Sequence, residues 1–182
     1  MTRLTRQIIS IALLLPVMGA SRVHADLAEE YSVKMAFIYN FAKFVQWPAT
    51  SFPEADSPIV LCIFGDNPFG TACDSIGGRL VGGRKFTIRQ VNRLEGCEGC
   101  HILYLCSTER ESAVQILKAL ACSSVLTISD MAEFVRLGGT IGFITVGNKI
   151  RFQINLAAAQ ACGLEISSKL LGLAESVCEN RN

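Results

Sequence analysis

The stretch CEGCHILYLC, residues 97–106, carries the residue types with the most distinctive potential chemistry in this chain. The spacing Cys97-x-x-Cys100-His101 matches the attachment pattern of a c-type haem. The same two cysteines could instead form half of a zinc site, or a redox pair. A fourth interpretation is structural, a loop with disulfide-forming cysteines that leads into an apolar strand. The choice among them depends first on the compartment.

The N-terminus is built like a cleaved secretory signal peptide. Two arginines among the first six residues precede an apolar run, residues 8–20, which is too short to span a bilayer comfortably. Val23-His24-Ala25 is a small-x-small cleavage motif, followed by Asp26. We therefore expect a signal peptide in residues 1–25 and a periplasmic mature domain in residues 26–182.

The charge of the mature domain argues against nucleic-acid binding. Removal of residues 1–25 takes away three arginines and leaves 14 basic residues against 16 acidic ones, a net charge of −2. Lysines and arginines are scattered along the chain and never run together, so no basic patch for nucleic acid is indicated. All eight cysteines lie in the mature part, where an oxidising compartment favours disulfides, although eight cysteines allow 105 pairings.

Buried strands alternate with helices along the mature chain. Val33, Phe37, Phe41, Phe44 and Val45 recur at helical spacing and predict a helix over residues 29–47. Four strands are predicted at residues 59–65, 85–91, 101–106 and 125–129, and a hairpin around Gly147-Asn148 joins two more over residues 139–155. Further helices are predicted at residues 69–76, 108–121 (with a Thr108–Glu111 capping box), 130–137 (capped by Asp130), 156–162 and 168–177.

This pattern predicts an α/β fold, a single-domain sandwich with a mainly parallel sheet flanked by helices and a C-terminal β-hairpin. In such a fold Cys106 ends one strand while Cys122 precedes the next. The strand between them spans roughly 17 Å at about 3.3 Å per residue. Because that exceeds the Cα separation of a disulfide, Cys106 and Cys122 should not pair with each other.

Catalysis has little support in the sequence, and we expect no enzyme. His101 is the only histidine of the mature chain, and it opens a predicted buried strand. A hydrolase would need that histidine beside a nucleophile, and no nucleophile-elbow pattern is present. The turn GDNPFG, residues 65–70, follows a strand but lacks the glycine spacing and the Lys-Ser/Thr of a phosphate loop.

The alternatives for the Cys97-x-x-Cys100-His101 pattern are weaker than the disulfide interpretation. A c-type haem needs a second axial ligand, and only Met35 and Met131 are available, both on predicted core faces. A closed zinc site lacks a second Cys/His pair at short spacing. A thioredoxin-type pair should begin a helix, whereas this one precedes a strand. No metal or cofactor is therefore expected, and a c-type haem electron carrier remains an alternative.

Four segments resemble the YfiR family of periplasmic proteins: KMAFIYNFAKFVQWP (residues 34–48), LCIFGDNPFG (61–70), CHILYL (100–105) and IRFQINLAAAQACGLEISSKLLGLA (150–174). They follow the family order over nearly the whole mature chain. The resemblance implies a non-catalytic periplasmic protein, usually a homodimer. It would bind the periplasmic domain of an inner-membrane diguanylate cyclase and repress it, which lowers cyclic-di-GMP and biofilm formation. An outer-membrane lipoprotein would sequester the repressor.

The resemblance also implies particular residues. The family's bridge between the first buried strand and the start of the next apolar one falls here on Cys62 and Cys100. Its second bridge would fall in residues 135–145, which contain no cysteine, so that bridge is absent. The pairing of the other cysteines stays open: Cys73, Cys97, Cys106, Cys122, Cys162 and Cys178. The family's exposed partner- or ligand-binding patch corresponds to Phe41, Gln153, Asn155, Leu156 and Ala159.

A structural role competes with this binding role. Phe37, Phe41, Phe44 and Trp47 have the spacing of core residues, and Asn155 and Ser167 could cap helices. A further alternative function is a small-ligand sensor that acts on another membrane signalling protein.

Overall fold

The computed structural model describes residues 19–121 and 123–179. Most of the expected signal peptide lies outside the described residues. Residue 122 is also outside the described residues, so the expectation that Cys106 and Cys122 do not pair stays a prediction. Within the part that is described, no helix combines the length and the apolar character that crossing a membrane requires.

The first helix, α1, spans Gly19–Phe44 and is longer than the predicted one. It buries Met35, Ile38, Phe41 and Ala42, residues three to four positions apart, against the sheet, while Val33 of the predicted stripe is exposed. The helix ends before Trp47 because Val45–Gln46 (β1) pairs antiparallel with Glu165–Ile166 (β9) in a separate two-stranded sheet.

Eight further strands form one sheet, in which the central strand pairs are parallel. The strands are β2 (Ile59–Phe64), β3 (Leu80–Val81), β4 (Arg84–Val91), β5 (Ile102–Leu105), β6 (Leu126–Ser129), β7 (Ile141–Val146), β8 (Lys149–Asn155) and β10 (Ser176–Cys178). Their order is β10-β8-β7-β6-β5-β2-β4-β3. This confirms the α/β fold with a mainly parallel sheet.

Helices cover both faces of the sheet. On one face, α1 packs with α2 (Ala72–Ile76) and with buried residues of α4 (Leu156–Ala161) and α5 (Ser168–Leu171). On the other, α3 (Ala113–Ala119) packs with the segment around Phe134 and the cysteine loop before β5. Because both faces are covered, β5 and β6 are buried at every position, which explains their continuous apolar sequences.

The hairpin β7–β8 is confirmed, and Gly147 and Asn148 form its turn. Both residues have positive φ, 51° and 59°, the conformation that a two-residue turn of this hand requires. β8 also pairs on its other edge with β10, in parallel. The predicted helix over residues 168–177 is therefore wrong beyond Leu171, because the chain turns back and adds an edge strand to the sheet.

Two other predicted helices are corrected. Residues 108–121 split into a 3₁₀ turn, Ser107–Glu109, and α3, so the Thr108–Glu111 capping box does not form. The Ser112 hydroxyl instead donates to the backbone carbonyl and the carboxylate of Glu109. Residues 131–138 form turns and no helix, since Glu133 has a φ of 63°, which interrupts helical geometry.

Candidate functional site

The cysteine loop of residues 97–100 is a tight turn held against the sheet. The Cys100 amide donates to the Cys97 carbonyl at 3.1 Å, which closes the turn immediately before β5. Cys100 forms a disulfide with Cys62 of β2, with a Cα–Cα distance of 5.9 Å. This is the bridge that the resemblance implies. It joins β2 to the loop preceding the neighbouring strand.

His101 fills a buried structural position behind this turn. The Val60 amide donates to its Nδ1 at 3.2 Å, so the ring proton lies on Nε2, which donates to the Ser51 carbonyl at 3.1 Å. Phe52 stacks on the ring, with centroids 4.5 Å apart, and the Trp47 indole donates to the His101 carbonyl. Burial lowers the pKa of His101, which keeps the imidazole neutral.

These contacts decide among the interpretations of the Cys-x-x-Cys-His pattern. In this structure the Cys100 sulfur is in a disulfide and both nitrogens of His101 have partners. Neither the second thiol nor the imidazole that haem attachment needs is available in this state. Among the described residues, no three His, Cys, Asp or Glu side chains are arranged to hold a metal ion. The turn contributes a disulfide and a structural histidine to the fold.

The patch expected from the resemblance is only partly at the surface. Phe41 is 1% exposed and packs on Phe143 and Phe152, with ring centroids 5.8 and 4.8 Å away. Ala159 is fully buried, on the face of α4 that meets the core. The expectation that these two residues belong to an exposed patch is therefore corrected: their helical spacing places them on core faces.

The other three residues, Gln153, Asn155 and Leu156, are half-buried at the boundary between β8 and α4. Asn155 caps α4, because its Oδ1 accepts from the Ala158 amide at 2.9 Å, while its Nδ2 donates to the Val135 carbonyl at 2.9 Å. Gln153 donates to the Ser176 hydroxyl of β10 at 3.0 Å. We name these three residues the β8–α4 surface; their role in binding stays a prediction.

A cleft of about 620 Å³ opens beside this surface. It lies between α3, α4 and the segment from Val135 to Thr140, and Asn155 contributes to its wall. Thr127 and Thr140 also line it, but their hydroxyls bond to each other at 3.2 Å. Arg136 on its wall is paired with Glu133 at 3.1 Å. The cleft therefore has walls of mixed polarity, and the hydroxyl and charged groups named here already have partners.

A charged cluster that the sequence analysis missed joins α1 to the end of β6. Lys34, whose side chain is 5% exposed, lies 2.6 Å from the Asp130 carboxylate and 2.5 Å from that of Glu30. The Tyr31 hydroxyl donates to the same Asp130 oxygen at 3.0 Å. Asp130, expected to cap a helix, instead accepts these two bonds. The sequence did contain a signal for this cluster, because a lysine within the apolar stretch of a helix is rarely buried without a charged partner.

Burial dominates the electrostatics of this cluster. It raises the pKa of Tyr31, and the Asp130 charge raises it further. Burial also raises the pKa of Tyr104, whose hydroxyl has no hydrogen-bond partner among the described residues. The neighbouring Cys106 thiol has its pKa raised to about 12, again chiefly by burial, which leaves it protonated and unreactive. The cluster thus resembles a buried structural network more than a catalytic site.

Comparison of the sequence with known protein families identifies the family to which this chain belongs. The family model described as YfiR/HmsC-like matches residues 31–175, which covers α1 from Tyr31 through α5 and the whole cysteine loop. No curated protein matches the chain. Proteins of this family are periplasmic and regulatory. Because the match extends over most of the chain, from the first helix to the last, this protein belongs to the YfiR/HmsC-like family.

Proposed function

We propose that this protein is a periplasmic repressor without catalytic activity, which binds the sensor domain of an inner-membrane diguanylate cyclase and holds the enzyme inactive. The observation that carries the proposal is the family match over residues 31–175. The Cys62–Cys100 disulfide supports it, because such bridges persist in oxidising compartments such as the periplasm. Homodimerisation and sequestration by an outer-membrane lipoprotein are part of the same proposal.

Repression requires differential binding. A protein shifts the cyclase toward its inactive state only if it binds that conformation more tightly than the active one. The β8–α4 surface is the contact region that we propose. Leu156 offers apolar area at the first position of α4, and Gln153 lies three residues earlier in β8, beside the edge strand β10. Phe41 and Ala159 support this region from the core and do not contact the partner.

The first test is deletion of the gene with complementation. Loss of a repressor should raise cellular cyclic-di-GMP, and the wild-type protein, supplied in the periplasm, should restore the lower level. The direct measurement is the cyclic-di-GMP content of the three strains. An unchanged level after deletion would refute the repressor function altogether.

The second test places a charge on the proposed surface. Leu156→Glu should weaken cyclase binding by at least about tenfold, because an ion would be forced into a desolvated contact. The helix should tolerate the change, since an acidic residue in the first turn of a helix is favourable. Leu80→Glu is the matched control: Leu80 is 59% exposed, on β3 at the opposite end of the sheet from β8.

Complementation distinguishes the repressor function from the proposal that the β8–α4 surface is the contact. We expect Leu80→Glu to restore the low cyclic-di-GMP level and Leu156→Glu to fail, although both proteins remain folded by circular dichroism. If Leu156→Glu restores repression fully, the β8–α4 surface is not the contact, while repression itself stands.

A further inference from the structure

The two sulfurs of the disulfide lie against one guanidinium group, and a third cysteine lies in the same core cluster. Arg89 of β4 reaches across β2, and its Nη2 lies 3.6 Å from the Cys62 sulfur and 3.4 Å from the Cys100 sulfur. The same nitrogen donates to the Glu98 carbonyl at 2.6 Å, which holds the guanidinium over the 97–100 turn. Cys97, at the start of that turn, is a buried thiol in the same core cluster.

The turn places Cys97 close in the chain to Cys100, which is bonded to Cys62. The Cys100 Cα lies 5.9 Å from that of Cys62. The hydrogen bond from the Cys100 amide to the Cys97 carbonyl closes a four-residue turn, and such turns bring their first and last Cα atoms within about 7 Å. That separation overlaps the range that a disulfide spans, about 4.4 to 6.8 Å. The Cα separation of such a turn is therefore compatible with a Cys97–Cys100 bridge.

We propose that Cys97 is an internal exchange thiol for the Cys62–Cys100 disulfide. The Cys97 thiol first loses its proton to water. The resulting thiolate forms a bond to the Cys100 sulfur, and the electron pair of the old disulfide leaves on the Cys62 sulfur, which takes up a proton. One disulfide and one thiol are present before and after the step, so no oxidant or reductant is consumed.

Arg89 is placed to assist the leaving sulfur. A thiolate leaves faster when a positive charge stabilises it, and the guanidinium is already 3.6 Å from the Cys62 sulfur. The same charge opposes the effect of burial at the attacking group: burial raises the pKa of Cys97, and Arg89 lowers it. One cation thus favours both thiolates that the exchange requires.

A cleft of about 390 Å³ gives solvent access to the turn, because Cys97, Gly99 and Cys100 form part of its wall. Cys97 and Cys100 are 5% and 6% exposed along this wall, whereas Cys62 is fully buried. Exchange moves the cross-link from one that joins residues 38 positions apart to one within a single turn. The inference goes beyond the proposed repressor function and does not depend on it.

The experiment traps the exchanged form. Cys62→Ser removes the competing partner, so after incubation with oxidised and reduced glutathione we expect Cys97 and Cys100 bonded to each other. Blocking of remaining thiols with N-ethylmaleimide in acid, followed by trypsin and tandem mass spectrometry, distinguishes the products. Cys97, Cys100 and Cys106 share the peptide between Arg93 and Arg110, which excludes Cys62, so the closed Cys97–Cys100 product carries its label on Cys106. Cys73→Ser is the matched control and should keep the Cys62–Cys100 bridge.

Two further measurements do not depend on how well the Cys62→Ser protein folds. In the wild type under the same conditions, a minor population should carry a blocked Cys62 and a closed Cys97–Cys100 peptide. Arg89→Met should slow its appearance by about tenfold, because the leaving thiolate loses its cation. If no closed Cys97–Cys100 peptide forms in the wild type, or if the rate is the same in Arg89→Met, the corresponding part of the proposal is wrong.

Discussion

At the scale of single residues, His101 shows how burial converts a potentially reactive side chain into a structural one. Its Nδ1 accepts from Val60 and its Nε2 donates to Ser51, so the fold uses the neutral imidazole in one tautomer. Burial is the main reason that its pKa is lowered, and the charge of Arg84 acts in the same direction. Protonation would remove the acceptor that Val60 needs.

This arrangement predicts a stability change with pH. The unfolded chain protonates His101 near its ordinary pKa of 6.5, whereas the folded protein binds that proton only at lower pH. The unfolded state therefore binds more protons below about pH 6.5, and stability should fall as the pH decreases. His101→Gln lacks this titration, so the difference in unfolding free energy between wild type and variant should shrink from pH 7.5 to pH 5. Urea denaturation at several pH values measures it, and a constant difference would contradict the assignment.

At the scale of secondary-structure elements, Asn155 joins a strand, a helix and a loop. Its carbonyl oxygen caps α4 and its amide nitrogen holds the Val135 carbonyl, so both ends of the side chain stabilise local structure. Ser167 caps α5 in the same way, through the Lys169 amide at 3.3 Å. Both caps agree with the structural role that the sequence indicated for these residues.

Asn155→Ala should therefore lower the free energy of unfolding by about 1–2 kcal/mol, since it removes a helix cap and one of the two hydrogen bonds to the Val135 carbonyl. Gln153→Ala is the comparison, because it removes one half-buried bond to Ser176 and should cost less than about 1 kcal/mol. Denaturant unfolding of both variants measures the difference. Equal stabilities would mean that α4 does not depend on its cap.

At the scale of the whole molecule, the pair Lys34–Asp130 holds α1 on the sheet. The two residues are 96 positions apart in the chain, and their side chains are 5% and 12% exposed. Removal of Asp130 leaves the buried Lys34 ammonium with only the carboxylate of Glu30, whose side chain is 37% exposed.

Asp130→Ala should lower the free energy of unfolding by about 2 kcal/mol, because Tyr31 loses its acceptor and Lys34 keeps only the more exposed carboxylate of Glu30. Glu133→Gln breaks the Arg136–Glu133 pair, whose side chains are 75% and 60% exposed, and should cost less than about 1 kcal/mol. Thermal unfolding of the two variants distinguishes the buried pair from the exposed one. Similar melting temperatures would show that Asp130 does not anchor α1.

Several elements were predictable because their signals come from neighbouring residues. Continuous apolar runs predicted β2, β5 and β6, and Gly147-Asn148 between alternating strands predicted the hairpin, because backbone conformation and burial on two faces act on neighbouring residues. The family resemblance, confirmed by the match over residues 31–175, rested on the same local segments.

The remaining features depend on groups that are far apart in the chain and meet only in the folded protein. Residues 176–178 form β10 and not a helix, since the edge of β8 offers them hydrogen bonds that no local preference encodes. Phe41 and Ala159 are buried because α1 and α4 present those faces to the core. Arg89 contacts the sulfurs of Cys62 and Cys100 because β4 and β2 are neighbours in the sheet. The sequence pattern does not reveal which strands are neighbours.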